Sequence, residues 1–126
     1  MCIRDSHNSE FYNNTAHFTA GAISIYHNSY LIIVDSLFYE SRAQEGAVLL
    51  LAQHSLAIIN GSNFYKNTAY NFGGAFFVAY GCTIRVDGCQ FVTNRAGVAG
   101  GVAFAQEQSN ITIVHSVLFL QQDNRT

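Results

Sequence analysis

Apolar residues along this chain come in short runs of about five, "AISIY", "LIIV", "AIIN" and "TIRV" among them, each closed by turn residues before a helical period is established. Gly, Asn and β-branched residues are dense throughout. This pattern predicts short strands.

The runs recur with a fixed period. "FYNNTA" begins at Phe11, "FYESRA" at Phe38, "FYKNTA" at Phe64 and "FVTNRA" at Phe91, in steps of 27, 26 and 27 residues. A glycine with a small apolar residue follows each block, in "AGAI" at Gly21, "EGAV" at Gly46, "GGAF" at Gly74 and "GGVA" at Gly101. A second apolar run closes each unit, as "YLIIVDS", "LAIINGS", "TIRVDGC" and "ITIVHSV". Self-similarity at this period marks a solenoid. A unit of ~27 residues holds one short strand and two longer ones, one coil of a three-faced parallel β-helix.

Successive coils in such a fold sit ~4.8 Å apart, so equivalent residues stack into columns. Phe11, Phe38, Phe64 and Phe91 are expected to form an inward column at a spacing suited to ring stacking. Asn14, Asn67 and Asn94 are expected at a corner, accepting left-handed backbone angles and bonding from coil to coil, with Ser41 interrupting them. Gly21, Gly46, Gly74 and Gly101 fit a second corner where positive φ or close backbone approach excludes a Cβ; the preceding position holds Gly73 and Gly100 but also Ala20 and Glu45. Tyr12, Tyr39 and Tyr65, one place after the phenylalanines, are expected to face outward as a surface for a sugar ring or a protein partner.

The pairing of F-x-x-N ("FYNN", "FYKN", "FVTN") with a G-G-A-type motif ("GGAF") resembles the repeats of the chlamydial polymorphic outer membrane proteins, from about Phe11 to Val102. The resemblance implies a right-handed β-helix of the pectate-lyase-like kind. It also implies an autotransporter-like passenger region displayed at the cell surface and engaged in adhesion.

The ends are read separately. "MCIRDS", residues 1–6, looks like the translation of a transposase-library sequencing adapter, so it is excluded from the repeat segment 7–126 and expected to lie outside the coils. "SVLFLQQDN" begins a partial fifth coil near residue 118, with Leu118 or Phe119 at the phenylalanine position and Gln121 or Gln122 at the asparagine position.

With 49% hydrophobic and 11% charged residues the chain has ample apolar side chain to bury. Its net charge of −2 and lack of a Lys/Arg cluster exclude the electrostatic footprint of a nucleic-acid binder. "AVLLLA" is far shorter than the ~20 residues of a membrane helix, so membrane insertion is not expected of this segment. Cys82 and Cys89 have neither metal-site spacing nor redox-pair neighbours, and no disulfide is expected between them. Asp35, Asn60, Asp87 and His115 fall at one position of the repeat. A glycosidase or lyase needs two carboxyls about 5–10 Å apart, and here Asn60 separates the two aspartates, so turn residues are the simpler reading. His17, His27, His54 and His115 lack the paired spacing of metal ligands. Arg85 and Asp87 are expected to form a solvated charge pair. Sequons stand at Asn13, Asn60, Asn110 and Asn124.

The sequence therefore points to an all-β, right-handed, three-faced parallel β-helix of about four coils. It is expected to serve as a non-catalytic stalk or adhesive segment of an extracellular or cell-surface protein, with no catalytic residue, cofactor or metal. Its expected partners are a carbohydrate or a host or cell-surface protein, together with further coils of its own chain. The alternative is a set of non-catalytic coils from a secreted carbohydrate-active enzyme. Exposed coil ends present unpaired strands, so the isolated 126 residues are expected to self-associate end to end. Sedimentation velocity over a range of concentrations checks this, and a concentration-independent monomer contradicts it.

Overall fold

The computed structural model describes residues 3–119, with side-chain surroundings from Asp5 onward. Among these residues there are seventeen strands, numbered in chain order, and they stack into four parallel sheets. The first sheet contains β1 (Ile3–His7), β4 (Tyr30–Val34), β8 (Leu56–Asn60), β12 (Thr83–Asp87) and β16 (Asn110–Val114). The second contains β2 (Glu10–Tyr12), β5 (Leu37–Tyr39), β9 (Asn63–Tyr65), β13 (Gln90–Val92) and β17 (Val117–Phe119). The third is short, with β6 (Arg42–Glu45), β10 (Thr68–Phe72) and β14 (Arg95–Ala96). The fourth contains β3 (Ile23–Ile25), β7 (Leu49–Leu51), β11 (Phe76–Val78) and β15 (Ala103–Ala105). A coil thus turns four corners where three were expected, because the stretch between the asparagine and glycine corners hydrogen-bonds as a strand of its own.

The period-2 pattern that predicted strands sets their faces. In β4, β8 and β12 the buried residues alternate, Leu31 and Ile33, Ala57 and Ile59, Ile84 and Val86, with their neighbours facing out. These side chains join Leu49, Leu51, Phe76 and Val78 in one continuous core around the phenylalanine column. Phe11, Phe38, Phe64 and Phe91 stack in sequence at ring-centroid distances of 4.6, 4.9 and 5.0 Å, within 9° of parallel. Leu118 pairs with Phe91 and occupies that column in the next coil; Gln121 and Gln122 lie outside the described residues.

Asn67 and Asn94 are completely buried. Each amide repeats one bonding scheme. The Oδ1 of Asn67 accepts from the Ser41 N–H at 3.0 Å, and its Nδ2 donates to the Phe38 carbonyl and to the Asn94 Oδ1. Asn94 in turn accepts from the Asn67 N–H and donates to the Phe64 carbonyl. Asn14 is only half-buried. The left-handed residue of this corner is not the asparagine but the one before it, Asn13, Glu40, Lys66 and Thr93. Asparagine is required here for its amide, and the preceding site tolerates several residue types. Ser41 fills the asparagine position with a shorter side chain whose Oγ is buried without a partner.

Backbone pairing also corrects the glycine columns. Ile23, Leu49, Phe76 and Ala103 are in register, so Gly46 stacks with Ala20, Gly73 and Gly100, and all four have positive φ. The adjacent column is Gly21, Ala47, Gly74 and Gly101, where a Cβ on Gly74 would strike the Gly101 carbonyl oxygen. The one-place slip arises because coil two is a residue shorter. Ala43 pairs with Ala69 but Glu45 pairs with Phe72, so Gln44 alone opposes Tyr70 and Asn71 across a bulge.

Residues 3–6, expected to lie outside the coils, instead pair through β1 with β4 in continuous register from Ile3↔Tyr30 to His7↔Val34. Their backbone covers the edge of the first sheet.

Three stability measurements test this architecture. Asn67→Ala orphans the Ser41 N–H and the Phe38 carbonyl and is expected to lower unfolding free energy by about 2–4 kcal/mol, against less than about 0.5 for Lys66→Ala. Equal effects in denaturant titrations would remove the asparagine column from the account. Ser41→Asn is expected to stabilise by about 1 kcal/mol by completing the column, and a lowered midpoint contradicts it. Deleting Met1 to Ser6 uncovers the β4 edge and is expected to lower the thermal midpoint by several degrees.

Candidate functional site

Outside the buried core, the described residues present their chemistry on outer faces and corners. On the second sheet the residues after the core phenylalanines point outward. Tyr12, Tyr39 and Tyr65 pair in register and stack at 5.3 and 5.0 Å, within 8° of parallel. Tyr12 is exposed and the other two are half-buried. The Tyr39 phenol is held above its usual pKa, first by partial loss of water and then by the Glu10 carboxylate, with smaller contributions from both flanking tyrosines and Glu40. The column breaks at coil four, where Val92 pairs with Tyr65. At the break lies a recess of about 230 Å³, lined by Asn63, Tyr65, Lys66, Gln90, Val92 and Thr93.

The fourth sheet carries an apolar trough that the repeats did not reveal. Strands β7 and β11 are buried on both faces. Leu50 and Phe77 point away from the core yet are only 6% and 5% exposed, because Ala20, Phe72, Ala79 and Phe104 pack around them. The trough measures about 390 Å³, and Tyr26, Tyr80 and Glu45 also line it. An unbroken apolar run such as "AVLLLA" was the available signal, since a strand facing solvent on one side alternates instead.

The Asp35, Asn60, Asp87 and His115 position separates into two columns. Asn60 and Asp87 pair with Val34 and Val114, whereas Asp35 and His115 occupy the following, left-handed turn position. The Asp87 carboxylate does not meet Arg85; it lies 3.2 Å from His115 Nδ1, with both side chains well exposed. His27 and His54 are also left-handed turn residues, and His17 packs edge-on against Phe18. No group of three His, Cys, Asp or Glu able to hold a metal ion occurs among the described residues. No helix among them is long and apolar enough to cross a membrane. The sequons at Asn13, Asn60 and Asn110 are exposed, and Asn124 lies outside the described residues.

Cys82 and Cys89 are buried free thiols and belong to two hydroxyl columns that sequence reading did not separate from ordinary turn serines. At one corner the Ser29 N–H donates to Ser55 Oγ, the Ser55 N–H to Cys82 Sγ and the Cys82 N–H to Ser109 Oγ. At the other the same relation links Ser9, Ser36, Ser62, Cys89 and Ser116. The hydroxyls donate hydrogen bonds to nearby turn carbonyls, as Ser62 does to Asn60. Ser36, Ser55, Ser62 and Ser116 each thereby satisfy one backbone donor from the coil before and one carbonyl of their own turn.

Stacked parallel strands closed by left-handed corners define a β-solenoid. The chain matches the family described as right handed beta helix region over residues 1–120, and it belongs to that family. No match is found among curated proteins or solved structures.

Burial raises the pKa of both thiols, and their backbone hydrogen bonds only partly oppose the shift. A raised folded-state pKa gives stability that is fully present below the unfolded thiol value of about 8.5 and is lost as pH rises above it. The denaturation midpoint is therefore expected to fall as pH rises above about 8.5, and less so in a Cys82→Ser, Cys89→Ser variant. A fall of equal size in that variant assigns the alkaline loss to other groups.

Proposed function

We propose that this chain is a non-catalytic, rigid coil segment of an extracellular or cell-surface protein, acting as an adhesin or stalk. The observation that carries this reading is the use made of its repeating polar groups. Asn67, Asn94 and the serines and cysteines of both hydroxyl columns direct their polar atoms to neighbouring coils and their own turns. These columns rigidify the stack, while the outward tyrosine column and the trough on the fourth sheet are left facing the surroundings. The likeness of the F-x-x-N and G-G-A motifs to surface-displayed passenger repeats supports the same setting, as do exposed sequons if the chain is secreted by a eukaryote.

Antibody raised against the recombinant chain is expected to label intact source cells or their medium. Labelling confined to permeabilised cells would overturn the placement. Incubation with polygalacturonate, alginate and xylan is expected to yield no new reducing or unsaturated ends, and their appearance would overturn the non-catalytic reading.

A further inference from the structure

We infer that the break in the tyrosine column is a binding site for a single neutral pyranose ring, seated against the face of Tyr65 that points toward coil four. This goes beyond the display reading and does not depend on it.

The argument begins with the column's own geometry. Tyr12, Tyr39 and Tyr65 repeat at 5.3 and 5.0 Å, so a ring at the next position would lie at stacking distance from Tyr65. Val92 holds that position by backbone register. Its side chain stops well short of where a phenol would reach, and the space left over is the recess of about 230 Å³. One face of Tyr65 is covered by Tyr39, and the other opens into this recess.

The recess selects its occupant by size and edge chemistry. It is smaller than the ~300–1,000 Å³ typical of drug-sized ligands, which suits one ring rather than a chain. Its walls are the aromatic face of Tyr65 and the methyl groups of Val92, while Asn63 and Gln90 stand on one side and Lys66 and Thr93 on the other. Asn63 and Gln90 are themselves register partners, each two residues before the column and therefore on the same outward face. An apolar floor bounded by amides, an ammonium and a hydroxyl matches a pyranose, which presents C–H groups on its face and hydroxyls around its edge. A plain aromatic ring would fill the floor but make no hydrogen bonds to those edge groups.

Charge at the rim favours a neutral sugar over a uronate. Lys66 is the one cation among the lining groups, and Glu40 precedes it in the same left-handed column, one coil away. The Glu40 N–H donates to the Tyr65 carbonyl and the Lys66 N–H to the Val92 carbonyl, so the two side chains leave neighbouring turns, Lys66 at the recess and Glu40 one coil behind it. Residues of opposite charge on adjacent coils leave this edge without a single strong sign.

Amide-resolved NMR titration of the chain with methyl β-D-glucopyranoside, methyl β-D-galactopyranoside and methyl α-D-mannopyranoside tests the site. At least one glycoside is expected to shift the amides of Tyr65, Lys66, Gln90 and Val92, with a Kd on the order of 1–10 mM. Val92→Tyr supplies the missing ring, and is expected to abolish these shifts at an unchanged or higher thermal midpoint. If that variant does not fold, Tyr65→Leu removes the platform and is expected to abolish the shifts of Gln90 and Val92. Silence toward all three glycosides overturns the assignment, as does binding that survives in the folded variant. Shifts with p-cresol but with no glycoside would identify a general aromatic slot and overturn the sugar assignment equally. Surface labelling of source cells is a separate readout, so failure here leaves the display reading standing.

Discussion

Everything in this molecule follows from parallel pairing between one coil and the next. The backbone bonds bring residues 26 or 27 apart into register, and that register makes each position of the repeat a column running the length of the rod. A side chain is judged by its match with copies of itself directly above and below. Phenylalanine satisfies this by offset stacking, asparagine through an amide that both donates and accepts, and serine through a hydroxyl that can do the same.

Column by column, the structure divides its positions by chemistry. Buried asparagine is demanding, since its amide serves backbone groups of the preceding coil, and Ser41 shows the consequence of shortening it, a buried hydroxyl with no partner. The hydroxyl columns are more tolerant, because Cys82 and Cys89 accept the same N–H bonds as the serines. The left-handed corner before the asparagine tolerates most, holding Asn13, Glu40, Lys66 and Thr93 in turn. These unlike residues point outward, so the corners most free to vary are also those that meet the surroundings.

The repeat of phenylalanine, asparagine and glycine made the fold legible, because a column imposes the same requirement once per coil and writes it into the sequence at a fixed period. Register at single-residue precision was not legible. One residue missing near Gln44 moves Gly46 into the neighbouring column, and motif matching alone shifted the alignment to keep the glycines together. The separation of Asp35 from Asp87 escaped for the same reason, since a strand end and the turn after it both admit Asp. The trough on the fourth sheet has a different cause. Its column runs Ser24, Leu50, Phe77 and Phe104, and a column that changes residue type along the rod leaves no motif.

The direction of the inter-coil bonds has a mechanical consequence. The backbone bonds that join coils run along the rod axis, so tension applied between the ends bears on them through whichever coil is outermost. That coil has a single neighbour and detaches first, leaving the next in the same position. Each release frees 26 or 27 residues, or about 90 Å of extended chain. A rod built this way lengthens under load in nearly equal steps, absorbing a pull as a series of small yields rather than one break.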